Sequence, residues 1–157
     1  MLFRSVRGGP HEGLDMCLFR DEHGQIHGLG GNAKVPAMYA GRIANIEADF
    51  LGQSVFVGHD IVDERGSRLF TIYGHTVPIA GIATGKTLEE GEVFTAVTDN
   101  SKTDIAPHLH ISIAWIPATI ASEKPGWKKI GAPGAVAFID PLEIMDCKYS
   151  VLKQENE

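Results

Sequence analysis

The 157-residue chain carries 14 Lys and Arg against 20 Asp and Glu, a formal net charge of -6, with 43% hydrophobic and 22% charged residues. That length suits one domain with a sizeable core, and the composition is that of an ordinary globular protein. The acidic balance and the scatter of basic residues, adjacent only at Lys128 and Lys129, exclude a nucleic-acid surface, and no apolar run reaches the roughly 18 residues of a membrane span.

The opening "MLFRSVRGGPHEG" contains no hydrophobic segment fit for secretion. A trimmed domain of an exported chain would work in the periplasm or outside the cell, whereas a natural start at Met1 implies the cytoplasm. Cys17 and Cys147 form no CxxC unit and are expected to be free, packed thiols. The presence of 18 Gly and 8 Pro favours many short strands joined by turns, an all-β fold. Residues 17–33, with His23 and His27, read as a loop, and 34–50 as two short strands punctuated by Pro36 and Gly41.

"SVFVGHDI" (54–61) and "RLFTIYGH" (68–75) flank the polar turn "VDERGS" and read as a hairpin. By alternation Leu69, Thr71, Tyr73 and His75 share one face of the second arm. His59 has no motif partner and is expected to be structural. In 85–97, Gly85 and Gly91 mark two turns ahead of a strand starting at Val93. In "PHLHISIAW" (107–115), Leu109, Ile111, Ile113 and Trp115 form a core face, and His108, His110, Ser112 and Ala114 point the other way. Residues 116–138, with three prolines, form a long excursion. "DPLEIMDC" predicts a short helix starting at Pro141 and capped by Asp140. The domain is expected over 1–147, with a polar tail over 148–157.

Strand folding requires no imidazole pair, so His108 and His110 call for a chemical explanation. "HEGLD" puts His11 and Asp15 four apart, on one face in either a strand or a helical turn, with Gly13 allowing a tight bend. An imidazole and a carboxylate supply two of the three protein ligands of a catalytic zinc site. The His-x-His pair can supply the third, and spacing alone does not decide which of His108 and His110 does so.

Together, "PHEGLDM", "FTIYGH" and "PHLHISI", in that order, resemble the lysostaphin-type (LytM-like) zinc endopeptidases that cut bacterial cell-wall peptides. "VPAMYAGRI", "KTLEEGEVF" and "IDPLEI" extend the resemblance over about residues 9–144. It implies a compact antiparallel β sandwich, the duplicated hybrid motif, with a substrate groove across one sheet. It further implies zinc held by His11, Asp15 and His110, with His75 and His108 as unligated catalytic histidines and a peptidoglycan peptide as substrate. Tyr73, on the same expected face as His75, is read either as ordinary strand packing, the commoner role, or as a group that helps position that substrate. The chain departs from the family pattern at Thr76, where a Leu is usual, and in the polar stretch "TDNSKTDIA" (98–106), where a Gly-rich loop is usual. Two alternatives share the fold: a non-catalytic LytM-like domain that regulates cell-wall hydrolases, and a histidine phosphocarrier. Domains of the first kind usually lack one or more metal ligands, and the second needs no His-x3-Asp.

Overall fold

The computed structural model describes residues 12–145, together with the strand backbone at Leu2–Phe3 and Val151–Leu152. Among the described residues the strands, in chain order, are β1 (Leu2–Phe3), β2 (Leu14–Met16), β3 (Leu18–Arg20), β4 (Ile26–Gly28), β5 (Lys34–Pro36), β6 (Gly41–Ala48), β7 (Gln53–Val62), β8 (Arg68–Pro78), β9 (Thr87–Leu88), β10 (Val93–Val97), β11 (Leu109–Ile116), β12 (Ala137–Ile139) and β13 (Val151–Leu152). The main sheet runs β13-β1-β2-β11-β8-β7-β6-β9, with β12 on β11 and with β10 joining β8 to β5. Every pairing is antiparallel except that of β1 with β13, which lies in the segment expected as a tail. The fold is the expected all-β one. No helix among the described residues is long and apolar enough to cross a membrane.

The expected hairpin is β7 and β8, closed by the Asp63 N–H donating to the Ser67 carbonyl at 2.9 Å. Its alternation separates two cores. Val55, Val57, Leu69 and Tyr73 join Leu109, Ile111 and Ile113 of β11 on one face, closed over by Val35, Leu88 and Phe94 from β5, β9 and β10. On the other face Phe56, Phe70, Ile72, Ala114 and Ile116 pack under the 116–138 excursion. That excursion is not a simple loop. It holds two single-turn helices, α1 (Ala118–Ala121) and α2 (Trp127–Ile130), and the buried Ile130 of α2 fills the second core. Pro141–Glu143 is a 3-10 turn and not the expected α-helix, with the Leu142 N–H donating to the Asp140 carboxylate at 3.0 Å.

β8 belongs to both layers. Residues 68–74 pair with β11 and β7, and Thr76 to Pro78 pair with β10. At the changeover, two steps along β7 (Gln53 to Val55) oppose three along β8 (Tyr73 to Thr76). This is a β-bulge with one extra residue on β8. His75 has a φ of 61°, in the left-handed region that side chains other than glycine rarely adopt.

Candidate metal and histidine site

The bulge overturns one expectation. Tyr73 and His75 are two apart yet do not share a face, because the extra residue inverts the alternation. Tyr73 lies in the first core, fully buried, where its hydroxyl accepts from the Met38 N–H at 2.8 Å. Burial pushes its phenol up to about 12, and it does not reach the histidine cluster as a substrate-positioning group. His75 swings to the opposite face, where its ring centroid lies 4.8 Å from that of His108 and 5.7 Å from that of His110.

Strand register brings the remaining groups together. His110 on β11 faces Asp15 on β2 and Gly74 on β8. The His110 Nδ1 and Asp15 Oδ1 atoms are 2.8 Å apart, and His110 Nε2 lies 2.9 Å from Ser112 Oγ, two residues along the same face. His108 donates from Nδ1 to the Ala106 carbonyl at 2.9 Å, and its Nε2 is 3.9 Å from Asp15 Oδ1. The side chains are recessed but reached by solvent, with exposures of 14% for Asp15, 13% for His108, 10% for His75 and 8% for His110. Four of the five expected site residues therefore converge. The fifth, His11, lies outside the described residues, as does Cys147.

Two aromatic rings border the cluster. Phe50, 65% exposed, meets His75 edge to face at 4.6 Å. Trp127 approaches His110 at 6.1 Å and is held at three points: its indole N–H donates to Ser54 Oγ at 2.8 Å, its backbone N–H to Glu47 Oε1 at 2.6 Å, and its ring packs on Phe56. Beneath His75 lies Asp49. Burial opposes ionisation of Asp49, but hydrogen bonds from the His75 ring and backbone N–H, the Ser54 hydroxyl and the Leu51 N–H outweigh it, holding the carboxyl well below the usual range. Sequence reasoning missed Asp49, Phe50 and Trp127.

The other described histidines, His23, His27 and His59, lie outside the cluster. His59 is buried, donating from Nδ1 to the Ala40 carbonyl at 2.8 Å and bonded through Nε2 to Thr71 Oγ1 at 2.9 Å. Residues 17–33 form a two-stranded sheet of β3 and β4 and not an open loop. There His27 stacks on Phe19 and meets Asp21 at 2.7 Å, and His23 neighbours Glu22. Cys17 is a free, half-buried thiol whose pKa is raised by burial and by Asp15, which disfavours the thiolate a metal would need.

Among the described residues no three His, Cys, Asp or Glu side chains are grouped to hold a metal ion. Two adjacent donors, Asp15 Oδ1 and His110 Nδ1, are of the chemical types zinc takes. For Nδ1 to coordinate, the ring proton must reside on Nε2, and Ser112 Oγ is placed to accept it there. Aspartate, imidazole and supporting hydroxyl therefore fit the ion.

Solved structures of similar fold include the following three. The solution structure of lysostaphin aligns with 98% of this chain and 52% of that chain, at a TM-score of 0.57 and 16% sequence identity. The chain has the lysostaphin fold. It spans about half of that protein's length. A mutant catalytic domain of the prophage-encoded M23 protein EnpA from Enterococcus faecalis aligns at TM-score 0.49 and 18% identity, over 87% of this chain and 80% of that one. LytU aligns at TM-score 0.48 and 16% identity, over 72% and 70%. No protein-family model matches the sequence, and no curated protein sequence matches it.

Proposed function

We propose that the protein is a zinc-dependent endopeptidase that hydrolyses amide bonds of bacterial cell-wall peptides, with residues 1–147 as one catalytic domain. The observation that carries this reading is the convergence of Asp15 of β2, His75 of β8, His110 of β11 and His108 just before β11 on one recess of a lysostaphin fold. His11, Asp15 and His110 would hold the zinc. When bound, zinc supplies polarisation of the scissile carbonyl and acidification of a water.

The residues divide the remaining work. His108 has committed Nδ1–H to the Ala106 carbonyl, so its Nε2 presents a lone pair to the recess. From there it can take a proton from the attacking water and later return it to the leaving amine. His75, against His108, is placed to orient that water by accepting a hydrogen bond from it at Nε2. Phe50 and Trp127 border the recess with rings that limit water around the reacting groups.

Elemental analysis is expected to find about one zinc per chain, the stoichiometry of a mononuclear catalytic site. His11→Ala should lose the metal, and His108→Ala should keep it while losing cleavage of peptidoglycan cross-linking peptides followed by mass spectrometry. A zinc-loaded protein that leaves every such peptide intact would overturn the reading.

A further inference from the structure

We propose that Asp49 is the positioning residue of His75: one carboxylate both fixes the imidazole with its proton on Nδ1 and pins the left-handed bend that turns the ring onto the site face. The inference rests on the peptidase reading for its consequence in catalysis, but not for its geometry.

Asp49 sits in the turn between β6 and β7. Its Oδ1 accepts from His75 Nδ1 at 3.1 Å, and its Oδ2 accepts from the His75 backbone N–H at 2.9 Å. An ionised carboxylate only accepts, so the imidazole proton lies on Nδ1 and the Nε2 lone pair remains for the recess. The backbone bond acts on a different quantity. At His75 the φ of 61° is sterically disfavoured for a residue with a Cβ, and a hydrogen bond from the N–H of that same residue holds the bend in place.

A turn alone would account for an aspartate here. The Leu51 and Gly52 N–H groups donate to Oδ1 at 3.0 and 2.7 Å, as in many tight turns that begin with Asp. The two bonds to His75 and a third from the Ser54 hydroxyl at 2.8 Å exceed what that turn requires. With five donors around it and 8% exposure, the carboxylate is itself immobilised, so it transmits a fixed direction to the ring. Ser54 also accepts from the Trp127 indole, which ties the border of the recess to the same anchor.

The test reads the ring nitrogens of His75 by 15N NMR on the zinc-loaded protein near neutral pH, with His75→Gln assigning the signals. The expected result is a protonated Nδ1 and an unprotonated Nε2. In Asp49→Asn one of the two oxygens becomes an amide donor, so either the ring bond or the backbone bond to His75 is lost, and with it the ring pattern or the bend that aims the ring. On a cross-linking peptide kcat should fall by about tenfold or more, with KM within about twofold, as expected for misplacing an acid–base group. A wild-type His75 with its proton on Nε2 overturns the proposal. So does an Asp49→Asn protein whose ring pattern and kcat match wild type while only its thermal stability drops, since that marks a turn residue and no more. If Asp49→Asn does not fold, the wild-type spectrum still decides where the proton lies. If wild type cleaves no peptide, the peptidase reading fails and the spectrum still decides the geometry.

Discussion

Gly13 approaches His110 so closely that a Cβ at position 13 would lie 2.6 Å from His110 Nε2 and 2.7 Å from Ser112 Oγ. The glycine between His11 and Asp15 thus serves close approach as well as bending, because the chain entering β2 passes over His110 Nε2 and Ser112 Oγ with no room for a side chain. Gly13→Ala is expected to displace the His110 ring, cost about 1–3 kcal/mol through overpacking, and lower zinc content by elemental analysis. Gly28→Ala, where no atom lies within 4 Å, should change stability by only about 0.5 kcal/mol or less.

Tyr73 supports the core and stays out of the site, so Tyr73→Phe should separate stability from activity. The change removes the acceptor of the Met38 N–H, which should cost about 1–3 kcal/mol in urea unfolding. Activity per folded molecule should be unchanged. The phenol titrates from 10 in the unfolded chain to about 12 in the folded one. The unfolded state therefore loses its proton first, and this contribution to stability is complete below pH 10 and lost as pH rises toward 12. Absorbance titration of the phenolate in wild type and Tyr73→Phe checks the assignment.

Much of this is written in the chain, and the part that is not has a common cause. The apolar row of β11 is legible because period-2 alternation holds wherever a strand is regular. Asp15 and the His-x-His pair are legible as donors, but alternation does not choose between His108 and His110; that choice comes from the family resemblance, and in the structure it is His110 that faces Asp15. The face of His75 is not legible, because parity counting fails after a single extra residue and nothing in "YGHTV" marks the bulge. Asp49 is hidden for a different reason: it falls at the end of the segment read as strands, nothing local in "ADFLG" sets it apart, and its bonds to His75 depend on a strand 26 residues later. The helices α1 and α2 have one turn each, too short for any period. Trp127 carried the one available signal there, a large ring with an N–H that needs a partner amid Pro and Gly.

His59 gives the fold a pH dependence of definite sign. Burial is the larger effect and lowers its pKa from 6.5, although the Ala40 carbonyl and the neighbouring Asp60 act in the other direction. Above pH 6.5 both folded and unfolded forms are neutral and the contribution is fully present. As pH falls below 6.5 the unfolded chain binds the proton first, and stability is lost until the depressed folded pKa is passed. Urea midpoints measured from pH 8 to pH 5 should therefore decline more steeply for wild type than for His59→Gln. Parallel curves would show that His59 is not the group responsible.

Trp127 joins the 116–138 excursion to the sheet, and its contributions can be separated. Trp127→Phe keeps a ring against Phe56 but loses the indole bond to Ser54, an expected cost of about 1 kcal/mol. Trp127→Ala removes ring and bond together and, for a half-buried side chain, should cost about 2–4 kcal/mol. A double-mutant cycle of Trp127→Phe with Ser54→Ala tests whether the two act through one hydrogen bond: the combined loss should fall short of the sum of the single losses by about 0.5–1 kcal/mol. Ser54 also donates to Asp49, so Ser54→Ala should loosen His75 even in the Trp127→Phe background. Full additivity of the two changes in urea unfolding would show that the excursion is held by the Glu47 bond and ring packing instead.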